Sequence, residues 1–214
     1  MKKDGRYDVS GLPEARFEPG SNEQVLKNRL NVKSSKEMDN VEASALERTM
    51  AGLVGQYNEK HRFTAADIRA IHKSWLGEIY EWAGEYRQVN VSKGNFPFAA
   101  ASQVPPLMEK FERNVLTRCT PCNFSERAVV VHVLAETHVE LVLVHPFREG
   151  NGRLARILST LMALQAGLPL LDFGLIAEER KEMYFAAVQA GLDKNYKAME
   201  QLFAEIIERS LAVS

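Results

Sequence analysis

The stretch from Ser125 to Val144 constrains the fold of this chain more than any other. It carries Val129, Val130, Val131, Val133, Leu134, Leu141, Val142, Leu143 and Val144. Their β-branched character favours a strand by propensity, but the run is longer than an ordinary strand, and length selects a helix. A helix that is apolar nearly all round has no solvent face, so it must lie at the centre with other elements packed about it.

The surrounding periodicity is helical too. Ser34-Ser35-Lys36-Glu37 reads as a capping box, followed by Met38, Val41, Ala45, Met50, Leu53, Val54 and Tyr57 at mostly three- and four-residue spacing. Thr64 with Asp67 starts a second helix with Ile68, Ile71, Trp75, Ile79 and Trp82 on its buried face, expected to stop near Gly84. Beyond the central helix, Leu154, Ile157, Leu158, Leu161 and Met162 mark another that ends at Gly167, and two more are expected over about 177–190 and 194–211. Residues 85–102 depart from this pattern. Tyr86, Val89 and Val91 alternate with polar residues ahead of the turn Ser92-Lys93-Gly94-Asn95, which predicts a short β-hairpin, too small to be a core sheet and suited to a flap. The expected architecture is therefore all-α, a helical bundle with a small β-hairpin flap. Its organisation is an N-terminal arm over 1–22, rich in Gly, Pro and charge, and a single domain over 23–214.

Composition excludes several function classes. The 214 residues are 45% hydrophobic and 26% charged, with 27 basic against 28 acidic side chains and a formal net charge of -1. No basic excess suggests direct contact with nucleic acid, and no apolar run suggests a membrane. Met1-Lys2-Lys3-Asp4-Gly5-Arg6 leads into a polar stretch and not an apolar signal segment, so a cytoplasmic protein is expected. Cys119-Thr120-Pro121-Cys122 is a single pair without a second pair to complete a zinc site, and reads as a loop.

The chemistry is concentrated in His145-Pro146-Phe147-Arg148-Glu149-Gly150-Asn151-Gly152-Arg153-Leu154-Ala155-Arg156, between the two most apolar helices. Pro146 biases His145 out of helical geometry and leaves its imidazole, suited to accept a proton near neutral pH, at the mouth of a loop. Gly150 and Gly152 immediately precede a helix start, where successive N–H groups and the helix dipole favour an anion such as phosphate. Arg153 and Arg156, three apart, share one face and can hold further phosphate oxygens. Glu149 offers a hard carboxylate oxygen suited to Mg²⁺ bound jointly with a polyphosphate. Base, carboxylate, anion cradle and paired arginines outline a phosphoryl or nucleotidyl transfer site.

The stretch resembles the Fic (filamentation induced by cAMP) motif H-x-F-x-[DE]-G-N-G-R-x-x-R at every specified position. The resemblance extends to Val25-Leu26-Lys27-Asn28-Arg29-Leu30, Trp82-Ala83-Gly84 and Arg180-Lys181-Glu182-Met183-Tyr184. It implies the all-α Fic fold with a flap, and AMPylation: transfer of AMP from ATP to a Tyr, Thr or Ser hydroxyl of a target protein. By position, His145 would be the base and Glu149 would hold Mg²⁺. Gly150, Asn151 and Gly152 would line the phosphate cradle, with Arg153 and Arg156 at the β and γ phosphates and Tyr184 near the adenosine. The flap, through Val89, Val91, Phe96 and Phe98, would dock the target by strand addition. Transfer of UMP or phosphocholine, or a non-catalytic binding module on the same scaffold, are the alternatives; a Doc-like phosphorylating branch is disfavoured by Gly152.

Many family members are inhibited by a helix bearing [ST]-x-x-x-E-[GN], whose Glu pairs with the second motif arginine, here Arg156. Ser35, Asp39 and Asn40 come near this pattern with Asp in place of Glu, but the capping box accounts for the serines. The resemblance then implies inhibition by a small separate antitoxin, this chain being the toxin half of the pair. Bacterial relatives of this short architecture commonly modify the ATPase subunits of DNA gyrase and topoisomerase IV, which sets the expectation for the target.

Overall fold

The computed structural model describes residues 11–174 and 180–213. The expected helix over 177–190 therefore begins outside the described residues, as does the N-terminal half of the arm. From residue 11 the arm packs as a short 3₁₀ turn (Pro13–Ala15) and an isolated bridge between Phe17 and Leu26. Asn28 then ties the next turn together: its amide donates to the carbonyls of Leu26 and Val32, and its oxygen accepts from the N–H groups of Leu30 and Val32.

Helix α1 (Ser35–Gln56) starts where the box predicts, with Ser34 accepting from the Glu37 N–H. Helix α2 (Ala65–Leu76) has both halves of its capping box formed between Thr64 and Asp67. It stops at Leu76 and not near Gly84 as expected. Ile79 and Tyr80 both donate to the Leu76 carbonyl, Ala83 to Tyr80 and Glu85 to Trp82, so a series of turns keeps Ile79 and Trp82 buried without a continuous helix. Apolar spacing alone cannot distinguish the two.

The hairpin is shorter than the alternation implies. Strand β1 (Ser92–Lys93) pairs antiparallel with β2 (Phe96–Pro97), and only the Phe98 N–H to Val91 carbonyl bond extends it. Tyr86 to Asn90 belongs to no strand, and its backbone bends at Val89, where Arg87 anchors it to the core. Unanticipated helical structure follows the flap: a 3₁₀ turn (Ala101–Gln103), α3 (Val104–Phe111), a π-helical turn (Glu112–Leu116) and α4 (Thr117–Cys119). Pro105 and Pro106 look like breakers but occupy the first turn, where no N–H is needed. Cys119 closes α4, Cys122 lies in the loop, and both are buried free thiols.

Helix α5 (Arg127–Val144) is the central helix required by its composition, with Val130, Val133, Leu134, Val139, Leu141 and Val142 buried. Helix α6 (Asn151–Gln165) and the C-terminal pair α7 (Lys181–Ala190) and α8 (Lys197–Val213) pack against it. Among the described residues no helix is long and apolar enough to cross a membrane.

Two buried histidines lock these layers. His138 on α5 bonds Ser159 on α6 (3.2 Å) and the Tyr184 hydroxyl on α7 (2.9 Å). Ser159 gives its own proton to the Ala155 carbonyl, so His138 Nδ1 donates and Nε2 accepts from Tyr184. Burial, reinforced by Arg156, pushes the His138 pKa down to about 3, and burial pushes that of His72 on α2 down to about 4. An unfolded chain takes up these protons near pH 6.5 while the native one resists until near pH 4 or below. Stability is thus fully present above about pH 6.5 and is lost as pH falls. Urea denaturation is expected to show a midpoint that drops steadily between about pH 6.5 and 4, corresponding to several kcal/mol. A flat midpoint over that window would rule out neutral buried imidazoles.

Candidate active site

Helix α5 ends at His145, whose backbone is left-handed (φ 51°, ψ 59°). The turn swings the imidazole out of the helix, where Nδ1 lies 3.1 Å from the Val142 carbonyl. A carbonyl only accepts, so Nδ1 carries the proton and the Nε2 lone pair is left for a reaction partner. The ring stacks on Phe98 of the flap, with centroids 3.6 Å apart and planes at 15°. Burial, with Arg87 and Lys93 adding to it, pushes the pKa of His145 down to about 4, so the imidazole is neutral at physiological pH.

The loop from His145 to α6 is held from three sides. The Asn151 side chain accepts from the Phe147 N–H and donates to the Phe147 carbonyl, each at 2.8 Å. Asn151 thus closes the loop with its side chain while also lining the cleft, as expected of a cradle residue. His72 donates from Nε2 to the Glu149 carbonyl (3.1 Å), its tautomer set by the Gly84 N–H on Nδ1, and stacks on Phe147. The arm reaches in as well, with Arg148 Nε donating to the Glu14 carbonyl and the Gln88 N–H donating to the Glu14 carboxylate.

Gly150 caps α6 at φ +82°, and a Cβ there would lie 2.8 Å from Trp75 Cζ3. Gly152 has nothing within 4 Å of the corresponding position, so its lack of a side chain keeps the cleft open at the helix start. Beside them the Glu149 carboxylate accepts from the Gly150 N–H (2.8 Å) through Oε1. Among the described residues its Oε2 has no protein partner. One exposed carboxylate oxygen beside an anion cradle suits Mg²⁺ shared with a polyphosphate, and no cluster of three or more acidic, His or Cys ligands exists among the described residues to form an all-protein cage.

The two motif arginines differ. Arg153 pairs with Glu42 of α1 (2.5 Å), approaches Glu149 (3.5 Å) and lies over the Trp75 ring. Arg156 has no carboxylate partner among the described residues; its Nε is buried without a hydrogen bond, and its guanidinium lies about 6 Å from the rings of Phe173 and Tyr184. All these groups open onto one cleft of about 830 Å³, bounded by the flap on one side and by Lys181, Tyr184, Phe185, Val188 and Gln189 of α7 on the other. Lys93 spans it from the flap, its ammonium 4.0 Å from the Phe185 ring centroid. Tyr184 lines the cleft with its ring while its hydroxyl is held by His138, and burial pushes its pKa up to about 12.

Other expected site residues are distributed differently. Val91, Phe96 and Phe98 line the cleft, but Val89 is buried in the core and its carbonyl is bound by Arg87, so its side chain cannot dock a target. Ser35 and Asp39 do not approach Arg156. With Glu149 and Arg153 they line a separate cavity of about 170 Å³, and Asn40 is exposed. Arg87, His72 and Glu42 were missed. His72 and Glu42 fall on the apolar stripes of their helices, which is a legible signal; Arg87 sits in a polar alternation that reads as solvent-facing.

Among the described residues, a helix start, a guanidinium without a carboxylate partner and a neutral imidazole nearby make this the class of site that can bind a phosphate chain with a base beside it. Comparison with known proteins puts a family to that class. Residues 62–163 match the model of the Fic/DOC family. The chain is 31% identical over 211 residues to the protein adenylyltransferase VbhT of Bartonella schoenbuchensis, covering 96% of this chain but only 40% of VbhT. It is 26% identical to a probable protein adenylyltransferase Fic of Escherichia coli, over 87% of this chain and 89% of that one. Among solved structures, the N-terminal Fic domain of a VirB-translocated Bep effector of Bartonella quintana with bound ADP superposes with a TM-score of 0.71 at 27% identity, covering 91% of this chain and 95% of that one. Residues 62–163 thus carry a Fic/DOC family domain, and the described residues have the helical fold of these neighbours.

Gly150→Ala is expected to destabilise the fold by about 1–3 kcal/mol, because the left-handed backbone and Trp75 both oppose a methyl group. Gly152→Ala is expected to stay within about 1 kcal/mol of the parent, since its methyl meets only the open cleft. Thermal unfolding of the two variants side by side checks the contrast.

Proposed function

We propose that this protein is an adenylyltransferase that moves AMP from ATP to a Tyr, Thr or Ser hydroxyl of a target protein. The observation that carries the reading is Arg156, a largely desolvated guanidinium that faces the cleft at the start of α6 without an anion among the described residues. Burying such a charge is unfavourable unless it is paired, and a nucleotide polyphosphate supplies the pair. The names of the VbhT and Escherichia coli relatives, and the ADP held by the Bartonella quintana domain, support the same nucleotide class.

On this reading His145 Nε2 takes the proton of the target hydroxyl as its oxygen attacks the α-phosphorus. The bond from that phosphorus to the β-bridging oxygen breaks, and pyrophosphate leaves. The orphan N–H groups at the start of α6 and the two arginines hold the charge that develops. Glu149 would hold Mg²⁺, which when bound neutralises part of the polyphosphate charge. Phe98 fixes the imidazole plane from the flap, while Val91 and Phe96 offer the edge along which a target segment would align.

The inhibitory carboxylate belongs, on this reading, to another chain. Asp39 faces a cavity that excludes Arg156, which favours the toxin half of a toxin–antitoxin pair acting in the cytoplasm, with a gyrase or topoisomerase IV ATPase subunit as target.

Incubation with labelled ATP and Mg²⁺ is expected to label the protein itself or a lysate protein. His145→Ala should abolish the label, and Arg156→Ala should weaken ATP binding about ten- to hundredfold, the worth of a charge-assisted bond. Equal labelling by His145→Ala would remove the assigned base. Because its pKa is depressed, labelling should persist down to about pH 5, where an ordinary imidazole of pKa about 6.5 would be almost wholly protonated.

A further inference from the structure

Glu42 lies on α1, outside the segment that matches the family model, yet it reaches the motif. Its side chain is 4% exposed. The Tyr80 hydroxyl donates to Oε1 at 2.6 Å, Oε2 pairs with Arg153 Nη2 at 2.5 Å, and the Trp75 indole N–H donates to the Glu42 carbonyl at 2.9 Å. Trp75 also carries the Arg153 guanidinium on its face, 4.8 Å from the ring centroid. Tyr80 is in turn stacked on Trp82, with centroids 4.6 Å apart, which fixes the donor to Oε1.

Arg153 is consequently clamped between an aromatic face and a buried carboxylate, while among the described residues its Nε and Nη1 bond to no protein atom. An arginine free in solvent would have to lose its rotamer freedom on meeting a phosphate; this one loses it on folding. A carboxylate so near could instead compete with phosphate for the guanidinium. The placement argues against that. Arg153 lines both the large cleft and the small cavity, whereas Glu42 lines only the small one. The guanidinium itself therefore stands between Glu42 and any ligand in the cleft.

We infer that Glu42 is a positioning residue of the nucleotide site: it aims Arg153 at the polyphosphate end of the ligand and so sets the affinity for ATP without touching it. This rests on the nucleotide reading above. The consequence is selective. AMP, which lacks the β and γ phosphates, gains nothing from an aimed Arg153, whereas ATP does.

Glu42→Gln keeps the shape and the acceptor for Tyr80 while removing the charge that holds Arg153. Calorimetric titration with ATP and Mg²⁺, and separately with AMP, is the test. The variant is expected to bind ATP about tenfold more weakly, within the range for directly coupled neighbours, and AMP within about twofold of the parent. In an Arg153→Gln background the same change should have no further effect on ATP. Unchanged or tighter ATP binding by Glu42→Gln overturns the inference, and so does an equal loss for ATP and AMP, the mark of a merely structural role. Should the Gln variant fail to fold, Tyr80→Phe gives the second measurement: it frees Oε1 with the charge intact and should weaken ATP selectively but less, an unchanged ATP-to-AMP ratio counting against the inference. A parent protein that binds no ATP would overturn the nucleotide reading and this inference together, whereas normal parent binding with an indifferent Glu42→Gln overturns this inference alone.

Discussion

Arg87 is a charged side chain buried to 1% exposure, and the arrangement of the site depends on how its five donors are satisfied. Among the described residues no carboxylate pairs with it directly; it bonds the carbonyls of His145 (2.6 Å), Val89 (2.9 Å) and Ala99 (2.5 Å), with Val144 further off at 3.4 Å. Its own N–H donates to the Pro146 carbonyl. A desolvated cation is tolerable only where acceptors replace the water it loses, and two of these four lie at the carbonyl end of α5, where the helix dipole favours positive charge. The other two lie at the two feet of the flap. The flap and the end of α5 must therefore come together around one guanidinium, which stabilises the left-handed backbone of His145 that a β- or α-region residue would not need.

From that anchor the rest of the site follows by close packing. The imidazole is set between Phe98 and the Val142 carbonyl, the loop is closed by Asn151, and Glu149 is steadied through its carbonyl by His72. Of these supports His72 stands behind the cleft, whereas Phe98, Val142 and Asn151 also border it. The chain as a whole is nearly neutral, so the attraction for a phosphate chain is local: the start of α6 and two guanidiniums, one held by α1 and the other uncompensated among the described residues.

The central helix, the two capped helix starts and the motif loop were legible in the sequence because each is written in local chemistry: composition for α5, side-chain oxygens for the caps, and Pro146 with Gly150 for the breaks. Where local chemistry is ambiguous the reading departed from the structure. Ile79 and Trp82 continue a helical period but sit in turns, since burial is satisfied equally by either. The alternation from Tyr86 to Val91 resembles a strand, but the side chain between Tyr86 and Gln88 is the anchor just described. Asp39 resembled part of an inhibitory element; the carboxylate that does reach the motif is Glu42, three residues further along α1, and it meets Arg153 and not Arg156.

Which groups line the cleft, and in what order, is written in twelve consecutive residues that carry an imidazole, a carboxylate, the helix start and both arginines. The sequence by itself could not determine what each group would be doing. Whether an arginine is clamped or free, and whether an asparagine faces a ligand or closes its own loop, depends on partners far along the chain: Glu42 lies on α1, Arg87 before the flap and Tyr184 on α7. Those partners meet only when the apolar surface of α5 is buried on all sides, and it is this packing that brings a carboxylate to Arg153 and leaves Arg156 facing the cleft.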